Sequence, residues 1–261
     1  MQNAVRNCAH WALKGIAVAS LLLLVSCGWI SRDPTDKMSA DQLYADAKSE
    51  MASGNWQRAR EILTRLESRY PFGRYAQQAQ IEIAYAYYKE GESAQAIAAC
   101  DRFLKLNPGH PFADYVLYLK GLASFNDDLG LFGRTLGMDP TTRDPKAMRE
   151  AFDVFKELVS RFPESRYAPD ASARMNYLVS AMAQSEVNIA RFYLQRGAYV
   201  AAVQRAQGAL RDYAGTPAAE EALSVLVRAY DGLALPQLRD DARRVLELNY
   251  PGSRYLAAAS K

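Results

Sequence analysis

The chain has few of the residues that build metal sites, disulfide frameworks and catalytic triads. Its 261 residues include two histidines and three cysteines, Cys8, Cys27 and Cys100. Cys8 and one histidine lie in a leader described below. The two cysteines and His110 that remain are too few for a disulfide-stapled scaffold or a zinc set. We interpret Cys100 as a small buried hydrophobe and His110, in the turn Pro-Gly-His-Pro, as structural rather than catalytic.

The chain also lacks an excess of charge of one sign. Its formal net charge is +3, and loss of Arg6 and Lys14 with the leader lowers this to +1. A near-neutral body has no concentrated basic surface, which excludes general binding of nucleic acids. The sequence has no phosphate-binding glycine loop or nucleophile elbow, and adjacent carboxylates such as Asp240 and Asp241 are typical of solvated surface. We therefore predict that the protein is not an enzyme and holds no cofactor.

No apolar run is long enough to cross a membrane, but a short one follows the basic N-terminus. The run GIAVASLLLLV has 11 residues, whereas a membrane span takes about 20. This pattern is typical of a secretory signal peptide, which we place at residues 1–26. The sequence LVSC, ending at Cys27, resembles the bacterial lipobox, so we expect Cys27 to carry N-acyl and S-diacylglycerol lipid. An ordinary signal peptide with an incidental cysteine is the alternative.

Residues 27–38 would form the lipidated N-terminus and a tether. Several acyl chains anchor a protein stably to a membrane, whereas one holds it only marginally. In the lipoproteins that this leader resembles, aspartate after the cysteine tends to retain the protein at the inner membrane. Gly28 therefore favours the periplasmic face of the outer membrane. Ser39 begins the folded body, since Gln42 three residues later completes the pattern of a helix capping box.

The folded body has helical periodicity and almost no strand pattern. Five positions of one helical pair recur 37 residues later: Gly54 as Gly91, Ala59 as Ala96, Leu63 as Cys100, Leu66 as Phe103, and Pro71 as Pro108. This pattern resembles the tetratricopeptide repeat, a helix-turn-helix unit of about 34 residues. We predict an all-α fold, an α-solenoid of about five tandem tetratricopeptide-like repeats.

A junction phrase marks boundaries between repeats. RYPFGRYAQQA begins at Arg69, RFPESRYAPDA at Arg161 and NYPGSRYLAAA at Asn249. In each phrase, proline ends one helix and Arg-Tyr opens the next. The junctions place repeats 1–3 at residues 39–168 and repeats 4 and 5 at residues 169–261.

Three features depart from the repeat pattern. Residues 126–145 are rich in glycine, proline and aspartate, which predicts a loop inserted in the third repeat. From Pro169 to Arg196 no glycine or proline interrupts the sequence, which predicts a helix of about 40 Å joining two arrays of repeats. In the fifth repeat Arg239 replaces the packing alanine, which indicates either a terminal cap or a different register.

The first helices carry aromatic and basic residues at positions that line the inner groove of tetratricopeptide domains. The predicted groove residues are Tyr44, Lys48, Tyr85, Tyr88, Lys89, Tyr115, Tyr118 and Phe125. Tyr85 and Tyr88 are three residues apart and so share one helical face. The alternative is that each tyrosine fills the core of the superhelix. For the set we favour a groove that binds an extended peptide with aromatic side chains.

A second patch combines arginine with tyrosine in the fourth repeat. Arg196, Arg205 and Arg211 follow one another within the segment from Ala190 to Tyr213. A solvated arginine face is one interpretation. The other is a protein–protein anchor, because arginine with neighbouring tyrosine is the usual composition of such anchors.

The mature chain resembles one family over essentially its whole length. It is similar to the tetratricopeptide lipoproteins that form the D component of the outer-membrane β-barrel assembly machinery. The resemblance is carried by the lipobox and by the phrases GNWQRA, RYPFGRYAQQAQ, YAYYK, RFLKLNP, DYVLYLKGL and RGAYVAAVQR. It implies attachment to the outer membrane, and a complex with a POTRA-bearing β-barrel insertase and other small lipoproteins.

The resemblance also implies separate roles for the two halves. The N-terminal repeats would recognise the C-terminal signals of unfolded outer-membrane proteins, which end in an aromatic residue, and the C-terminal repeats would dock the insertase. Tyr193, Arg196 and Arg205 match the family pattern in the docking half. A repeat lipoprotein that assists pilus or secretin assembly is the alternative, but it would lack the phrases RYPFGRY and RGAYVAAV. An enzyme would need a catalytic domain for which the chain has no room.

Overall fold

The computed structural model describes residues 37–126 and 145–258, and every regular element within them is helical. The helices are α1 (Ala40–Ala52), α2 (Trp56–Arg69), α3 (Arg74–Glu90), α4 (Ser93–Leu106), α5 (Ala113–Asn126), α6 (Pro145–Arg161), α7 (Ala168–Gln195), α8 (Tyr199–Asp212), α9 (Ala218–Gly232), α10 (Pro236–Asn249) and α11 (Arg254–Ala258). None of these described helices has the length and apolar character that a membrane span requires. The leader, Cys27 and residues 127–144 of the predicted insertion lie outside the described residues.

The helices stack in pairs, and each pair packs on the next. α1 contacts α2, α2 contacts α3, and this order continues along the described chain to α10. The first helices of some successive pairs also touch, α1 with α3, α3 with α5 and α7 with α9. Packing concentrated between adjacent units is that of a solenoid. The predicted all-α, tetratricopeptide-like fold is therefore confirmed.

Small residues lie where the second helix of a pair packs against its neighbours. Ala59, Ala96 and Ala202, each the fourth residue of its helix, are fully buried. One turn further on, Leu63 and Cys100 occupy matching core positions and are also fully buried. Burial raises the pKa of the Cys100 thiol to about 12, so this thiol stays protonated in the core.

In α10 the matching fourth position is Arg239, so the fifth repeat follows the register of the others. Its guanidinium pairs with Asp231 at 3.0 Å and with Asp240 at 2.8 Å. The buried positions of α10 are Ala242 and Leu246. Only the short helix α11 follows α10 among the described residues. An arginine thus occupies the place of the packing alanine, and among the described residues no further helix pair packs on α10.

A capping box sets the start of α1, and a glycine sets the end of α3. The Gln42 N–H donates to Ser39 Oγ at 3.3 Å, and the Ser39 N–H donates to Gln42 Oε1 at 2.9 Å, which confirms the predicted capping box. At the end of α3, Gly91 has the left-handed conformation with φ 81°. Glycine adopts this conformation without the penalty that a Cβ atom would impose.

The helix expected from Pro169 to Arg196 is α7, which runs without interruption for 28 residues. Its first half contributes Ala171 and Leu178 to a core that it shares with α5 and α6. Its second half contributes Val187 and Ala190 to a core that it shares with α8 and α9. A single helix therefore belongs to two hydrophobic cores and links them covalently.

One close helix contact gives a stability prediction. A Cβ atom added at Gly121 of α5 would lie 2.7 Å from Cδ1 of Phe155, whose ring is fully buried. We expect Gly121→Ala to lower the free energy of unfolding by about 1–3 kcal/mol. The measurement is urea unfolding followed by circular dichroism.

The matched control is Gly208→Ala in α8, where nothing lies within 4 Å of an added Cβ atom. Replacing a helical glycine by alanine in open space stabilises a helix by up to about 1 kcal/mol. Equal effects of the two substitutions would contradict the close packing of α5 against α6.

Candidate functional site

A pocket of about 500 Å³ lies between the first helices of the N-terminal repeats and the start of α7. Its walls come from α1, α3, the start of α5, and the junction before α7. The lining residues, which we call the aromatic pocket, are Lys48, Gln78, Ile81, Glu82, Tyr85, Phe112, Tyr115, Arg166 and Tyr167. Its volume lies within the range of pockets that bind small ligands or single side chains of a partner.

Five of the eight predicted groove residues lie in or beside this pocket. Lys48, Tyr85 and Tyr115 line it directly. Tyr44 reaches its edge, since its hydroxyl donates to Oε1 of the lining residue Glu82 at 3.3 Å. Tyr118 stacks on the lining ring of Tyr167 with 4.7 Å between ring centroids and 18° between planes.

The other three predicted groove residues belong to other surroundings. Tyr88 packs against the buried cluster around Cys100 and Phe103, and its ring lies 6.5 Å from that of Tyr85. Lys89 lies outside the pocket, with its Nζ atom 5.4 Å from the ring of Trp56. Phe125 packs against the core shared by α5, α6 and α7, where its ring is 5.8 Å from that of Tyr177.

A carboxylate that sequence reasoning did not single out organises one side of the pocket. Glu82 Oε1 accepts from Lys48 Nζ at 3.0 Å, from Tyr44 at 3.3 Å and from Gln78 Nε2 at 3.2 Å. Its side chain is only 12% exposed. Burial, followed by the negative charge of Glu82, raises the pKa of Tyr44 to about 12. The position of Glu82, three residues before Tyr85 on the same helix, was the signal that could have identified it.

Two tyrosines in or beside the pocket have pKa values raised above the ordinary value. Burial raises the pKa of Tyr115 well above its ordinary value of 10.0. Burial and a hydrogen bond to Asp170 raise the pKa of Tyr118, whose hydroxyl donates to Asp170 Oδ2 at 2.7 Å. Arg174 Nε donates to the same oxygen at 2.6 Å. At these two positions the phenol groups stay protonated at physiological pH and offer hydroxyl groups without phenolate charge.

Two further lining residues, Phe112 and Tyr167, were also missed by the sequence reasoning. Phe112 follows the turn that contains His110. The backbone N–H of Phe112 donates to His110 Nδ1 at 3.1 Å, and the imidazole packs edge-on against Phe103 at 5.1 Å. His110 thus supports the wall of the pocket, which agrees with the structural role predicted for it. Tyr167 belongs to the repeated Arg-Tyr phrase, and that repetition was the signal.

Of the three predicted docking residues, Tyr193 lies in α7, Arg196 directly follows α7, and Arg205 lies in α8. Tyr193 is partly buried against the C-terminal core, and the guanidinium of Arg196 lies 4.5 Å from the ring of Phe192. Arg205 is on α8 and pairs with Glu186 of α7 at 3.1 Å. The structure therefore gives Arg205 a partner within the chain, while 47% of its side chain stays exposed.

The described residues contain no group of three or more histidine, cysteine, aspartate or glutamate side chains placed to hold a metal ion. The aromatic pocket combines aromatic rings, hydroxyl groups, the ion pair between Lys48 and the largely buried Glu82, and an exposed arginine, Arg166. Such a lining suits the binding of a peptide side chain by apolar contact and hydrogen bonds.

Comparisons with known proteins agree on one family. The family model for an outer membrane lipoprotein, YfiO, matches residues 36–246. The outer membrane protein assembly factor BamD of Neisseria meningitidis serogroup A is 46% identical over 249 residues, which cover 94% of this chain and 93% of that protein. BamD of Vibrio cholerae serotype O1 is 38% identical over 240 residues, which cover 92% and 98% respectively.

Among solved structures, the type IV pilus biogenesis factor PilW resembles this chain at 14% identity with a TM-score of 0.37. The match covers 85% of this chain and 98% of PilW. A likeness at this level carries no argument about function.

The contacts of Glu82 predict how Tyr44 titrates. Tyr44 should remain protonated between about pH 9 and 11, where ordinary tyrosines lose their proton. In Glu82→Gln the negative charge is lost but the burial remains, so the pKa of Tyr44 should fall from about 12 towards, but not to, its ordinary value. The measurement is NMR of protein labelled with ¹³Cζ-tyrosine, with Tyr44→Phe to assign the signal. A wild-type Tyr44 that titrates near 10 would show that this side of the pocket is open to water.

Proposed function

The chain belongs to the YfiO family of outer membrane lipoproteins, and on that premise we propose that it is a non-enzymatic assembly factor for outer-membrane proteins. It is anchored by lipid on Cys27 at the periplasmic face of the outer membrane. The N-terminal repeats bind unfolded outer-membrane proteins in the aromatic pocket. The C-terminal repeats hold a POTRA-bearing β-barrel insertase and other small lipoproteins of the complex.

The observation that carries this proposal is the aromatic pocket itself. Tyr85, Tyr115 and Tyr167 line one space, and Phe112 adds an aromatic side chain that is 51% exposed. Burying an aromatic side chain against such rings gives both apolar contact and favourable ring–ring geometry. An unfolded β-barrel protein exposes aromatic side chains that its folded state would place against lipid, so it supplies a ligand of this chemistry.

A binding site of this kind suits the transfer of a substrate to a partner. The pocket is open to solvent, and the described residues contain no group of histidine, cysteine, aspartate or glutamate side chains placed to hold a metal ion. A partner can remove a substrate that is held only by apolar contacts and hydrogen bonds without breaking a covalent bond. The relatives in Neisseria meningitidis and Vibrio cholerae carry the name of assembly factor, which supports the same role here and does not favour pilus or secretin assembly.

The exposed half of Arg205 supports its proposed role in docking. Its pair with Glu186 crosses from α8 to α7, and the glutamate side chain is 24% exposed. An insertase surface that carries a carboxylate could share the guanidinium with Glu186, because arginine has five N–H donors. Tyr193 and Arg196 lie at the end of α7, where the ring of Phe192 is 49% exposed.

The pocket assignment predicts the effect of removing two aromatic walls. We expect the double variant Tyr85→Ala, Phe112→Ala to bind a fluorescent peptide from the C-terminus of an outer-membrane β-barrel protein at least about tenfold more weakly. The measurement is fluorescence anisotropy. Circular dichroism should show unchanged helix content, since both residues are partly exposed.

Phe72→Ala is the control for this variant. Phe72 is 92% exposed in the turn before α3 and does not line the pocket. Its replacement removes an exposed aromatic ring and should leave peptide affinity unchanged. Equal losses in the two proteins, or no loss in the double variant, would remove the pocket as the binding site.

The docking role of Arg205 predicts the behaviour of a charge swap. Arg205→Glu alone places two carboxylates together and should reduce co-purification of the insertase. The double variant Glu186→Arg, Arg205→Glu restores an ion pair within the chain, whose loss would in any case cost no more than about 1 kcal/mol. If Arg205 contacts the insertase, the swapped protein should still fail to co-purify with it. Normal co-purification of the swapped protein would show that Arg205 acts only within the chain.

A further inference from the structure

The turn between α2 and α3, residues 70–74, carries an apolar side chain that the fold does not bury. Phe72 in this turn is 92% exposed, more than any other large hydrophobic residue that the structure describes. Gly73, which follows it, has a φ of 104°, a conformation that glycine adopts readily. Pro71, Gly73 and Arg74 are exposed as well. One exposed apolar residue is ordinary on a protein surface, so its surroundings decide whether it has a role.

Hydrogen bonds on either side of Phe72 attach this turn to the start of the folded body. The hydroxyl of Tyr70 donates to the backbone carbonyl of Met38 at 3.1 Å. The hydroxyl of Tyr75 donates to the carboxylate of Asp41 in the first turn of α1. The Cα atom of Phe72 lies within about 7 Å of that of Tyr70, two residues before it. Phe72 therefore lies beside the point at which the chain enters α1.

The lipid anchor expected on Cys27 would keep this end of the protein near a membrane. Met38 lies 11 positions after Cys27, and a chain of that length spans at most about 40 Å in any conformation. This limit applies to the start of α1 and, through its hydrogen bonds, to the turn that carries Phe72. The anchor does not hold the repeats further along the solenoid in this direct way.

Exposed cations accompany the ring of Phe72. Lys37 is exposed just before α1, and Arg74 is exposed at the end of the turn. The guanidinium of Arg74 lies 4.7 Å from the ring centre of Tyr75 and donates to its hydroxyl at 2.9 Å, which leaves further N–H groups to donate. The carboxylate of Asp41 accepts from Tyr75. An aromatic ring next to cationic side chains suits a phospholipid surface, where rings enter the interface and cations contact phosphate groups.

The other two copies of the junction phrase provide an internal comparison. The residue after the proline is Phe72 in the first copy, Glu164 in the second and Gly252 in the third. The stacking of arginine on tyrosine is common to all three, with 4.7, 4.9 and 4.9 Å between the guanidinium and the ring centre. This stacking therefore belongs to the repeat. The apolar residue occurs only in the copy that lies beside the tether.

We propose that residues 70–74 form a second membrane contact, in which the ring of Phe72 enters the phospholipid surface and Lys37 and Arg74 contact phosphate groups. This inference rests on the lipid anchor of the proposed function. A lipid anchor on a tether holds the body near the bilayer without fixing its orientation, whereas a second contact turns one side of the first repeat towards the lipid. Because α1 and α3 also form walls of the aromatic pocket, the contact orients that pocket relative to the membrane.

The test locates the turn relative to the bilayer with a fluorophore. The mature lipoprotein, with lipid on Cys27, is reconstituted in vesicles of phosphatidylethanolamine and phosphatidylglycerol. A nitrobenzoxadiazole label is attached through Pro71→Cys or, as the matched control, through Pro163→Cys in the second copy of the phrase. Both prolines are exposed, and the native Cys100 is fully buried. Phospholipids with a nitroxide on the acyl chain quench a fluorophore only where it lies within the bilayer.

We expect nitroxide lipids to cause a loss of fluorescence at position 71 and none at position 163. Adding Phe72→Glu to the protein labelled at position 71 should abolish that loss, because a carboxylate is repelled by anionic lipid and is costly to bury. Replacing phosphatidylglycerol by phosphatidylcholine should weaken the quenching, since the two cations then lose their anionic partners.

Sedimentation of the vesicles separates this inference from the anchor on which it rests. If the protein sediments with the vesicles but positions 71 and 163 are quenched equally, or if Phe72→Glu leaves the quenching at position 71 unchanged, the membrane contact is wrong and the anchor stands. If the mature protein stays in the supernatant, both the lipid anchor and the second contact are wrong.

Discussion

The close packing of consecutive helix pairs through small residues is the constraint on which the rest of the structure depends. Fully buried alanines such as Ala59 and Ala96 let neighbouring helices approach, and Gly121 leaves space for the ring of Phe155. This packing sets the first helices side by side, so that residues from α1, α3 and α5 meet at one pocket. A wider spacing would separate the aromatic walls and leave each tyrosine as an isolated surface residue.

Charged side chains complete the lining of the pocket within that packed frame. Glu82 neutralises Lys48 and binds the hydroxyl of Tyr44, so one side holds a closed set of polar contacts. The guanidinium of Arg166 lies over the ring of Tyr167, 4.9 Å from its centre. The lining therefore combines aromatic rings with charged side chains that can contact polar groups of a bound peptide.

The helices and their order could be predicted from the sequence because they depend on local spacing. Positions that recur after 37 residues, such as Ala59 with Ala96, identify the packed face of each second helix. The membership of the pocket could be predicted only in part. Tyr85 and Tyr88 share a helical face by their spacing and both pack against the core that contains Cys100, yet of the two only Tyr85 also lines the pocket. Which of the two side chains reaches the pocket depends on the neighbouring helices. The spacing of residues within one helix does not contain that information.

The parts that the sequence reasoning missed involve residues distant from one another in the chain. Glu82 matters because Lys48 and Tyr44, more than thirty residues earlier, donate to it. Tyr167 matters because the second junction folds back on α5, where its ring stacks on Tyr118. The Arg-Tyr phrase was visible as a repeat, but the difference between its three copies is their position in the fold, and only the second faces the pocket.

The central claim is that unfolded outer-membrane proteins occupy the aromatic pocket, and site-specific photo-crosslinking tests it most directly. Benzoylphenylalanine at position 112, where Phe112 is 51% exposed in the pocket wall, is compared with the same group at position 72, where Phe72 is 92% exposed outside it. The account predicts that unfolded substrate is captured from position 112 and not from position 72, although the second site is the more accessible. Equal capture from the two sites, or capture from position 72 alone, would contradict it.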